Sequence, residues 1–233
     1  MSKRFFITGT DTDVGKTFVA TKLLKALNRR GLSTVALKPV AAGCEQVDGQ
    51  WQNDDALLLQ KAASVDLPYA MVNPFSFPEA IAPHLAAKAV GTTMTVASVA
   101  QACKPGLAQA ADVILIEGAG GWYVPLNNSE RFSDLVIAEK WSVILVVGMR
   151  LGCINHALLT IDALNRSGLN VAAWVANCVD SHMPHQAENI ATLKQFIEAP
   201  CLGVVPFHDA EMDDADTRYL LTELIVPESS LQA

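Results

Sequence analysis

A lysine and a threonine that follow a glycine near the start of the chain could handle a nucleoside triphosphate. They are Gly15, Lys16 and Thr17, at the end of the stretch GTDTDVGKT (residues 9–17). In such loops the glycine lets the backbone approach the β-phosphate, the lysine reaches the β- and γ-oxygens, and the hydroxyl binds Mg²⁺. The usual pattern needs its first glycine at position 10, where this chain has Thr10, and the glycine comes one residue earlier. The stretch predicts a phosphate loop with a displaced glycine; the alternative is an ordinary glycine turn before a helical lysine.

The flanking residues predict the elements that must position this loop. An apolar run, Phe5-Phe6-Ile7, predicts a strand that leads into the loop, and residues 18–27 predict the helix that follows it. The helix would place its apolar side chains on one face: Val19, Leu23, Ala26 and Leu27. The free N–H groups and positive dipole of a helix start attract anions, so this order of elements predicts a triphosphate site.

Further along the chain, short apolar runs alternate with helical patterns. The predicted strands are residues 34–37, 113–116, 143–147, 171–175 and 202–205. The predicted helices are residues 54–63, 96–103, 133–139, 154–167 and 188–197. Because the runs lack the polar alternation of half-exposed strands, they predict strands covered on both faces. The chain is therefore predicted to be α/β, a single domain over residues 1–233 with a mostly parallel central sheet and helices on both faces.

Lys38 directly follows the second predicted strand and precedes Pro39, which stiffens the exit from that strand. Ligands of parallel sheets bind beyond the carboxyl ends of the strands, so Lys38 is placed to bring a second cation toward the phosphates or toward an anionic substrate. The alternative is a surface lysine at a strand end. We favour the functional interpretation because the first strand's loop should open at the same edge of the sheet.

Glu117 occupies the equivalent position after residues 113–116 and is followed by the small residues Gly118, Ala119, Gly120 and Gly121. A carboxylate there can hold Mg²⁺ directly or through water, and the glycines allow a substrate close to the backbone. The alternative is a solvated or capping glutamate. Asp54 and Asp55 begin another predicted helix, where one could be a cap and the other could face the metal.

Composition narrows the class of partner. The 233 residues include 24 acidic and 17 basic side chains, a net charge of −7 without a basic cluster, which argues against nucleic acid and anionic membranes and favours small polar ligands. Five cysteines, an odd number with no C-x-x-C pair, indicate buried thiols in a reducing cytosol. The first strand begins too early for a signal peptide, and residues 143–147 are too short to span a bilayer. A cytoplasmic location is predicted.

Several other segments carry predictions of their own. Residues 41–53 are predicted to form an active-site loop and residues 227–233 to fray. His182 and His185 flank a proline without nearby cysteines or carboxylates, so a polar loop is favoured over a zinc site. Two further pairs stay open. Asp11 and Asp13 oppose phosphate unless they point outward or meet a cationic substrate, and Trp122 and Tyr123 could be substrate walls or packing residues.

Five ordered motifs resemble the dethiobiotin synthetases, within the P-loop NTPase superfamily, over nearly the whole chain. They are GTDTDVGKT, KPVAAG (residues 38–43), IEGAGGWYVPL (residues 116–126), LGCINHALLT (residues 151–160) and WVANCVD (residues 174–180). The resemblance implies a single-domain P-loop NTPase fold and a reaction in which ATP and CO2 convert 7,8-diaminopelargonic acid into the cyclic urea dethiobiotin. A carbamate and a carbamic-phosphoric mixed anhydride would be intermediates, and Mg²⁺ would accompany the nucleotide.

The resemblance also implies roles for individual residues. Lys16 and Lys38 would be catalytic, and Thr17, Asp55 and Glu117 would bind the metal. The implied nucleotide contacts are Thr12, Asp13, Val14, Gly15, Lys16, Thr17, Phe18, Asp55, Glu117, Gly118, Ala119, Gly120, Asn177, Cys178, Pro206, Phe207 and His208. The implied substrate contacts are Thr12, Lys38, Ala42, Gly152, Cys153, Ile154 and Asn155, the last four from the partner subunit of a homodimer whose active sites lie at the interface.

One position departs from the family pattern, because many members have a serine where this chain has Ala42. A substrate hydroxyl contact would then be missing or supplied by a backbone group. Two rival functions on the same fold are a partitioning-type switch ATPase and a small-molecule kinase. The switch ATPases carry a signature lysine where this chain has Asp11, which argues against that class, while a kinase would need no CO2.

Overall fold

The structure, a computed structural model, describes residues 2–207 and 217–227. Its strands are β1 (Lys3–Gly9), β2 (Thr34–Leu37), β3 (Val40–Ala42), β4 (Glu45–Val47), β5 (Gln50–Gln52), β6 (Phe75–Phe77), β7 (Val113–Glu117), β8 (Ser142–Met149), β9 (Val171–Cys178) and β10 (Cys201–Val205). Its helices are α1 (Lys16–Arg29), α2 (Asp54–Ala62), α3 (Tyr69–Val72), α4 (Pro83–Ala89), α5 (Val96–Leu107), α6 (Phe132–Glu139), α7 (Cys153–Arg166) and α8 (Gln186–Phe196), with a 3-10 turn at Thr222–Leu224.

Six strands form one parallel sheet in the order β10-β9-β8-β1-β7-β2. β1 lies in the middle, and its Ile7 pairs with Glu117 on one side and Ile144 on the other. Because all six strands run the same way, their carboxyl ends share one edge. The sequences that follow β1, β2, β7 and β8 therefore meet at that edge, as the α/β prediction requires.

The core has two layers, one on each face of the sheet. Phe6 belongs to one buried cluster, while its neighbours Phe5 and Ile7 belong to the other, as expected for side chains that alternate along a strand. The Phe6 ring packs edge-on against Phe132, with ring centroids 5.4 Å apart, and stacks on Trp141 at 6.2 Å. Helices cover both faces, which confirms the predicted architecture.

Residues 41–53 differ from the prediction of a simple loop. They complete β3, which pairs with β6, and then form an antiparallel hairpin of β4 and β5. Both hairpin strands are short and largely exposed, so they lack the apolar runs by which the six sheet strands were recognised. The elements α3, α4 and β6 were not predicted because each is only three to seven residues long.

α5 runs through Pro105 to Leu107, four residues past its predicted end, although proline usually stops a helix. Of the residues predicted to fray, 228–233 lie outside the described part of the chain. Among the helices that the structure describes, none is both long and apolar enough to cross a membrane.

Candidate active site

Residues 9–17 join β1 to α1 and fold as a loop closed by Gly15, the residue that caps the start of α1. Gly15 has φ 78°, in the left-handed region that glycine tolerates best. A Cβ atom on Gly15 would lie only 2.2 Å from Nδ2 of Asn177. That amide nitrogen donates a hydrogen bond of 2.8 Å to the carbonyl oxygen of Val14. Asn177, near the end of β9, therefore holds the loop through this hydrogen bond. Its side chain leaves no space for a Cβ atom at position 15, which suits glycine.

Lys16, the first residue of α1, is buried, with 8% of its surface exposed. Its Nζ donates to the carbonyl oxygen of Asp11 at 3.1 Å, so the ammonium reaches back across the loop. Burial lowers the pKa of Lys16; the nearby Glu117 carboxylate opposes this shift and the charge on Lys38 adds to it, and the net direction is down. A phosphate placed in the loop would supply the counter-charge that this buried ammonium needs.

Lys38 lies just beyond β2, only 5% exposed, and points into a pair of carboxylates. Its Nζ is 2.6 Å from Oε1 of Glu117 and 2.9 Å from Oδ2 of Asp55. Burial alone would lower the pKa of Lys38, but the two carboxylates outweigh burial and raise that pKa above its usual value. The backbone is held as well, because Asn73 Nδ2 donates to the Lys38 carbonyl oxygen at 2.6 Å.

Glu117 is the last residue of β7 and is almost fully buried. Its Oε1 accepts from Thr17 Oγ1 at 2.8 Å as well as from Lys38. Its Oε2 is buried and has no hydrogen-bond partner among the described residues. A buried carboxylate oxygen normally has a partner, so this atom has an unused capacity to bind a cation. Thr17, Glu117 and Asp55 together offer the oxygen ligands that Mg²⁺ prefers.

The start of α2 shows which residue caps the helix and where Asp54 and Asp55 lie. Asn53, which neither alternative named, is the N-cap, and its Oδ1 accepts from the backbone N–H of Ala56 at 3.4 Å. Asp54 is exposed in the first turn, so the prediction that one of the aspartates could be the cap was wrong. Asp55 faces the site; burial raises its pKa, but Lys38 more than reverses this and the net shift is downward.

These groups open into a cleft of about 1200 Å³. Twelve of the predicted site residues line it: Thr12, Asp13, Gly15, Lys16, Thr17, Phe18, Lys38, Ala42, Asp55, Glu117, Ala119 and Gly120. Sequence reasoning missed an apolar wall formed by Ala80, Ile81, Ala82, Pro83, Val124 and Pro125. The last two stand in the motif IEGAGGWYVPL, so part of the wall could have been found there, but nothing in the spacing of residues 80–83 indicated the site.

The remaining predicted residues lie elsewhere. Val14, Gly118, Asn177 and Cys178 are buried beside or beneath the loop rather than lining the cleft. Pro206 and Phe207 follow β10, outside the cleft lining, and His208 lies outside the described residues. The four residues assigned to the partner's substrate, Gly152, Cys153, Ile154 and Asn155, begin α7 and do not line this cleft.

Four residues whose roles the sequence left open, Asp11, Asp13, Trp122 and Tyr123, have distinct positions in the structure. Asp11 points away from the cleft toward Arg150, while Asp13 is exposed at the cleft and has φ 57°. Trp122 is buried beside Phe6, so it is a packing residue. Tyr123 is exposed, with the guanidinium of Arg131 4.6 Å from its ring centroid.

The described residues contain no cluster of three or more His, Cys, Asp or Glu side chains suited to a metal, at His182 and His185 or elsewhere.

Comparison with known proteins shows the family to which the chain belongs. A family model described as an AAA domain matches residues 3–214. The chain is 52% identical, over 97% of its length and 99% of the relative's, to the ATP-dependent dethiobiotin synthetase BioD of Cellvibrio japonicus. It is 46% identical, over 96% of its length and 98% of the relative's, to the protein of that name from Chromohalobacter salexigens.

Among solved structures, the septum site-determining protein MinD complexed with Mg-ADP from Pyrococcus horikoshii superposes with a TM-score of 0.55. The match covers all of this chain and 93% of that one, but sequence identity is 17%, so it shows a shared P-loop fold and no more. The relatives that are similar in sequence support the synthetase interpretation and neither the switch ATPase nor the kinase. With half of its residues identical to such enzymes over nearly its full length, the chain belongs to the ATP-dependent dethiobiotin synthetases, a family of ligases.

Proposed function

We propose that this chain converts 7,8-diaminopelargonic acid, CO2 and ATP into dethiobiotin, ADP and phosphate. One amine of the substrate adds to CO2, loses a proton and becomes a carbamate. A carbamate oxygen then takes the γ-phosphoryl group of ATP, and ADP leaves. The second amine attacks the carbonyl carbon of this mixed anhydride, the bond to the phosphate oxygen breaks, and loss of a proton with release of phosphate closes the urea ring.

The observation that carries this proposal is the pair of buried lysines at one end of the cleft. Lys16 belongs to the phosphate loop, and Lys38 is held beside it by Glu117 and Asp55. Carbamate and γ-phosphate are both anions that repel each other as they approach. Two buried cations with little water around them lower that repulsion, because charge stabilisation is stronger where solvent is excluded. Positioning and charge neutralisation are the main requirements of phosphoryl transfer.

Mg²⁺ fits the oxygens of Thr17, Asp55 and Glu117, since Oε2 of Glu117 is buried without a partner among the described residues. The ion would neutralise negative charge on the β- and γ-phosphate oxygens. Two carboxylates and a hydroxyl are a small ligand set, which is typical of magnesium sites completed by phosphates and water. Lys38 now occupies the space between these carboxylates, so its ammonium would turn toward the substrate when the metal and the nucleotide bind.

Ala42 stands on the wall of the cleft and has no side-chain hydrogen-bonding group. We propose that the diamine is oriented here without the hydroxyl that a serine would offer, chiefly by Thr12 and by the charged groups around Lys38. The apolar wall formed by residues 80–83 with Val124 and Pro125 suits the hydrocarbon chain of the substrate.

We also propose that the enzyme is a homodimer that works in the cytoplasm. The start of α7 lies outside this chain's cleft, and Leu151 beside it is 94% exposed, an unusual position for a leucine that has no partner surface. All five cysteines are free thiols, as expected in a reducing compartment. Sedimentation velocity tests the dimer, and Leu151→Asp should shift the protein toward monomer.

The reaction itself is tested by measuring ADP release and product mass with ¹³C-bicarbonate. We expect ADP to form only when the diamine and bicarbonate are both present, with one ¹³C atom in each dethiobiotin molecule. ADP release that needs the diamine but not bicarbonate would identify a kinase. Release without either would identify a switch ATPase, and both results would overturn the proposal.

A further inference from the structure

Asp11 adds a negative charge to the loop that is proposed to bind a triphosphate, although its side chain points away from the cleft. The structure shows how that charge is balanced. Oδ2 of Asp11 lies 2.7 Å from Nη2 of Arg150, the first residue after β8. The two residues are 139 positions apart in the sequence. They meet because β8 is the direct neighbour of β1 and both strands end at the same edge.

The rest of Asp11 is committed to the shape of the loop. Its Oδ1 accepts from the backbone N–H of Thr12 at 2.8 Å, and its carbonyl oxygen accepts from Nζ of Lys16 at 3.1 Å. One residue earlier, the backbone N–H of Thr10 donates to the Val146 carbonyl oxygen of β8 at 3.0 Å. The first half of the loop is therefore fastened to β8 by one backbone hydrogen bond and one ion pair.

The charges in the cleft explain why the ion pair matters for a ligand. The cleft already holds the carboxylates of Asp13, Asp55 and Glu117, and the chain carries a net charge of −7. A triphosphate adds several negative charges. If Arg150 were absent, Asp11 would leave an unbalanced negative charge in the phosphate loop, on the residue whose backbone carbonyl oxygen accepts from Lys16. Repulsion of this kind weakens binding and depends strongly on salt concentration.

We propose that Arg150 is a positioning residue for ATP that acts through charge: it neutralises the Asp11 carboxylate in the first half of the phosphate loop. The inference rests on the proposed ATP-dependent reaction. Arg150 would contact neither the diamine nor CO2. The side chains are about half exposed, 39% for Arg150 and 48% for Asp11, and exposed ion pairs contribute little to folding stability. Loss of the pair should therefore change ATP binding much more than it changes the melting temperature.

The test compares Arg150→Gln, Asp11→Asn, the double variant and Arg150→Lys in the full-length chain. Binding of ATP without diamine is measured by calorimetry, and KM for ATP and kcat are measured in the complete reaction. Arg150→Gln should raise Kd and KM for ATP about three- to tenfold at low salt, with a smaller change at high salt. Asp11→Asn should tighten ATP binding, since asparagine keeps the acceptor for Thr12 and loses the charge.

The double variant is the decisive measurement, because removing the charge of Asp11 should recover most of the affinity that Arg150→Gln loses. Arg150→Lys, which keeps the charge, should stay within about twofold of the wild type. Arg166→Gln is the matched control, since Arg166 makes an exposed ion pair with Asp162 at the far end of α7. An Arg150→Gln variant with ATP affinity like that of Arg166→Gln would overturn the proposal. A double variant as weak as Arg150→Gln, or a weak Arg150→Lys, would also overturn it. Wild-type protein that binds no ATP would instead contradict the proposed function itself.

Discussion

The Nζ atom of Lys38 lies 2.6 Å from Oε1 of Glu117, although 79 residues separate the two in the sequence. The sheet brings them together: Leu37 pairs with Ile116 in the parallel register of β2 and β7, so the next residues on both strands stand side by side. Each charge is buried and each is the other's main partner. Removing Lys38 leaves the Glu117 carboxylate buried without this counter-charge, whereas Lys38 would keep Asp55 if Glu117 were removed. The lysine therefore gives the sharpest predictions.

Replacing Lys38 with methionine should separate catalysis from folding. We expect turnover to fall roughly 100-fold or more, because a cation is lost where two anionic groups must meet. The free energy of unfolding should fall by about 2 to 4 kcal/mol, because Glu117 stays buried and unpaired. Urea denaturation and steady-state kinetics measure the two effects. Lys61→Met, at an exposed position on the same cleft, is the control, and an unchanged rate in Lys38→Met would remove Lys38 from the mechanism.

The double variant Lys38→Met/Glu117→Gln should recover stability without recovering turnover. With the glutamate made neutral, no uncompensated charge is left in the pair, and breaking such a pair costs more than replacing both of its members. Denaturation should therefore show the double variant to be more stable than Lys38→Met alone. Equal stability of the two variants would mean that the lysine stabilises the fold through packing rather than through charge.

Glu117→Gln alone should weaken the use of magnesium. The variant keeps the size of the side chain but replaces the carboxylate whose Oε2 has no partner among the described residues. In a Mg²⁺ titration of activity at saturating ATP, the variant should need at least about tenfold more Mg²⁺ than the wild type for half-maximal activity. Glu198→Gln, at an exposed position that does not line the cleft, serves as control. An unchanged titration midpoint would place Glu117 outside the metal site.

Gly15→Ala should abolish nucleotide binding, and a second glycine shows why. Gly15 and Gly31 have nearly the same backbone angle, φ 78° and 77°, so alanine costs similar backbone strain at both, about 1 kcal/mol. A Cβ at Gly31 meets no atom of the described chain within 4 Å, whereas at Gly15 it would strike Asn177. Calorimetry with ATP should show normal binding for Gly31→Ala and none for Gly15→Ala. Normal ATP binding by Gly15→Ala would mean that the loop can shift away from β9.

Cys103 should make the protein less stable in alkali. Burial raises the pKa of this thiol to about 12, with a smaller contribution from Glu139. Because the folded pKa lies above the unfolded value near 9.0, the stabilisation is complete below pH 9 and is lost as pH rises toward 12. Between pH 8.5 and 10.5 the wild type should lose roughly 1 to 2 kcal/mol more than Cys103→Ala. Denaturation at several pH values measures this difference, and parallel curves for the two proteins would contradict it.

The six strands of the sheet could be predicted because each contains a short apolar run, and all but the edge strand β10 bury that run almost completely. Residues 34–37 match β2 residue for residue, and the first helix is found with its phosphate loop. The hairpin of β4 and β5 could not be found in this way. Its strands are exposed, and the cross-strand pairing that forms them leaves no apolar periodicity in the sequence.

By itself, the sequence determined the chemistry available to this protein: a phosphate loop with Lys16 and Thr17, and charged residues Lys38 and Glu117 at the ends of strands. Only the tertiary structure decided how the charges are paired. Spacing along the chain cannot say that Lys38 lies between Glu117 and Asp55, or that Arg150 balances Asp11, because these contacts depend on which strands are neighbours in the sheet. Strand order is set by packing of the whole core, whereas residue type is fixed locally.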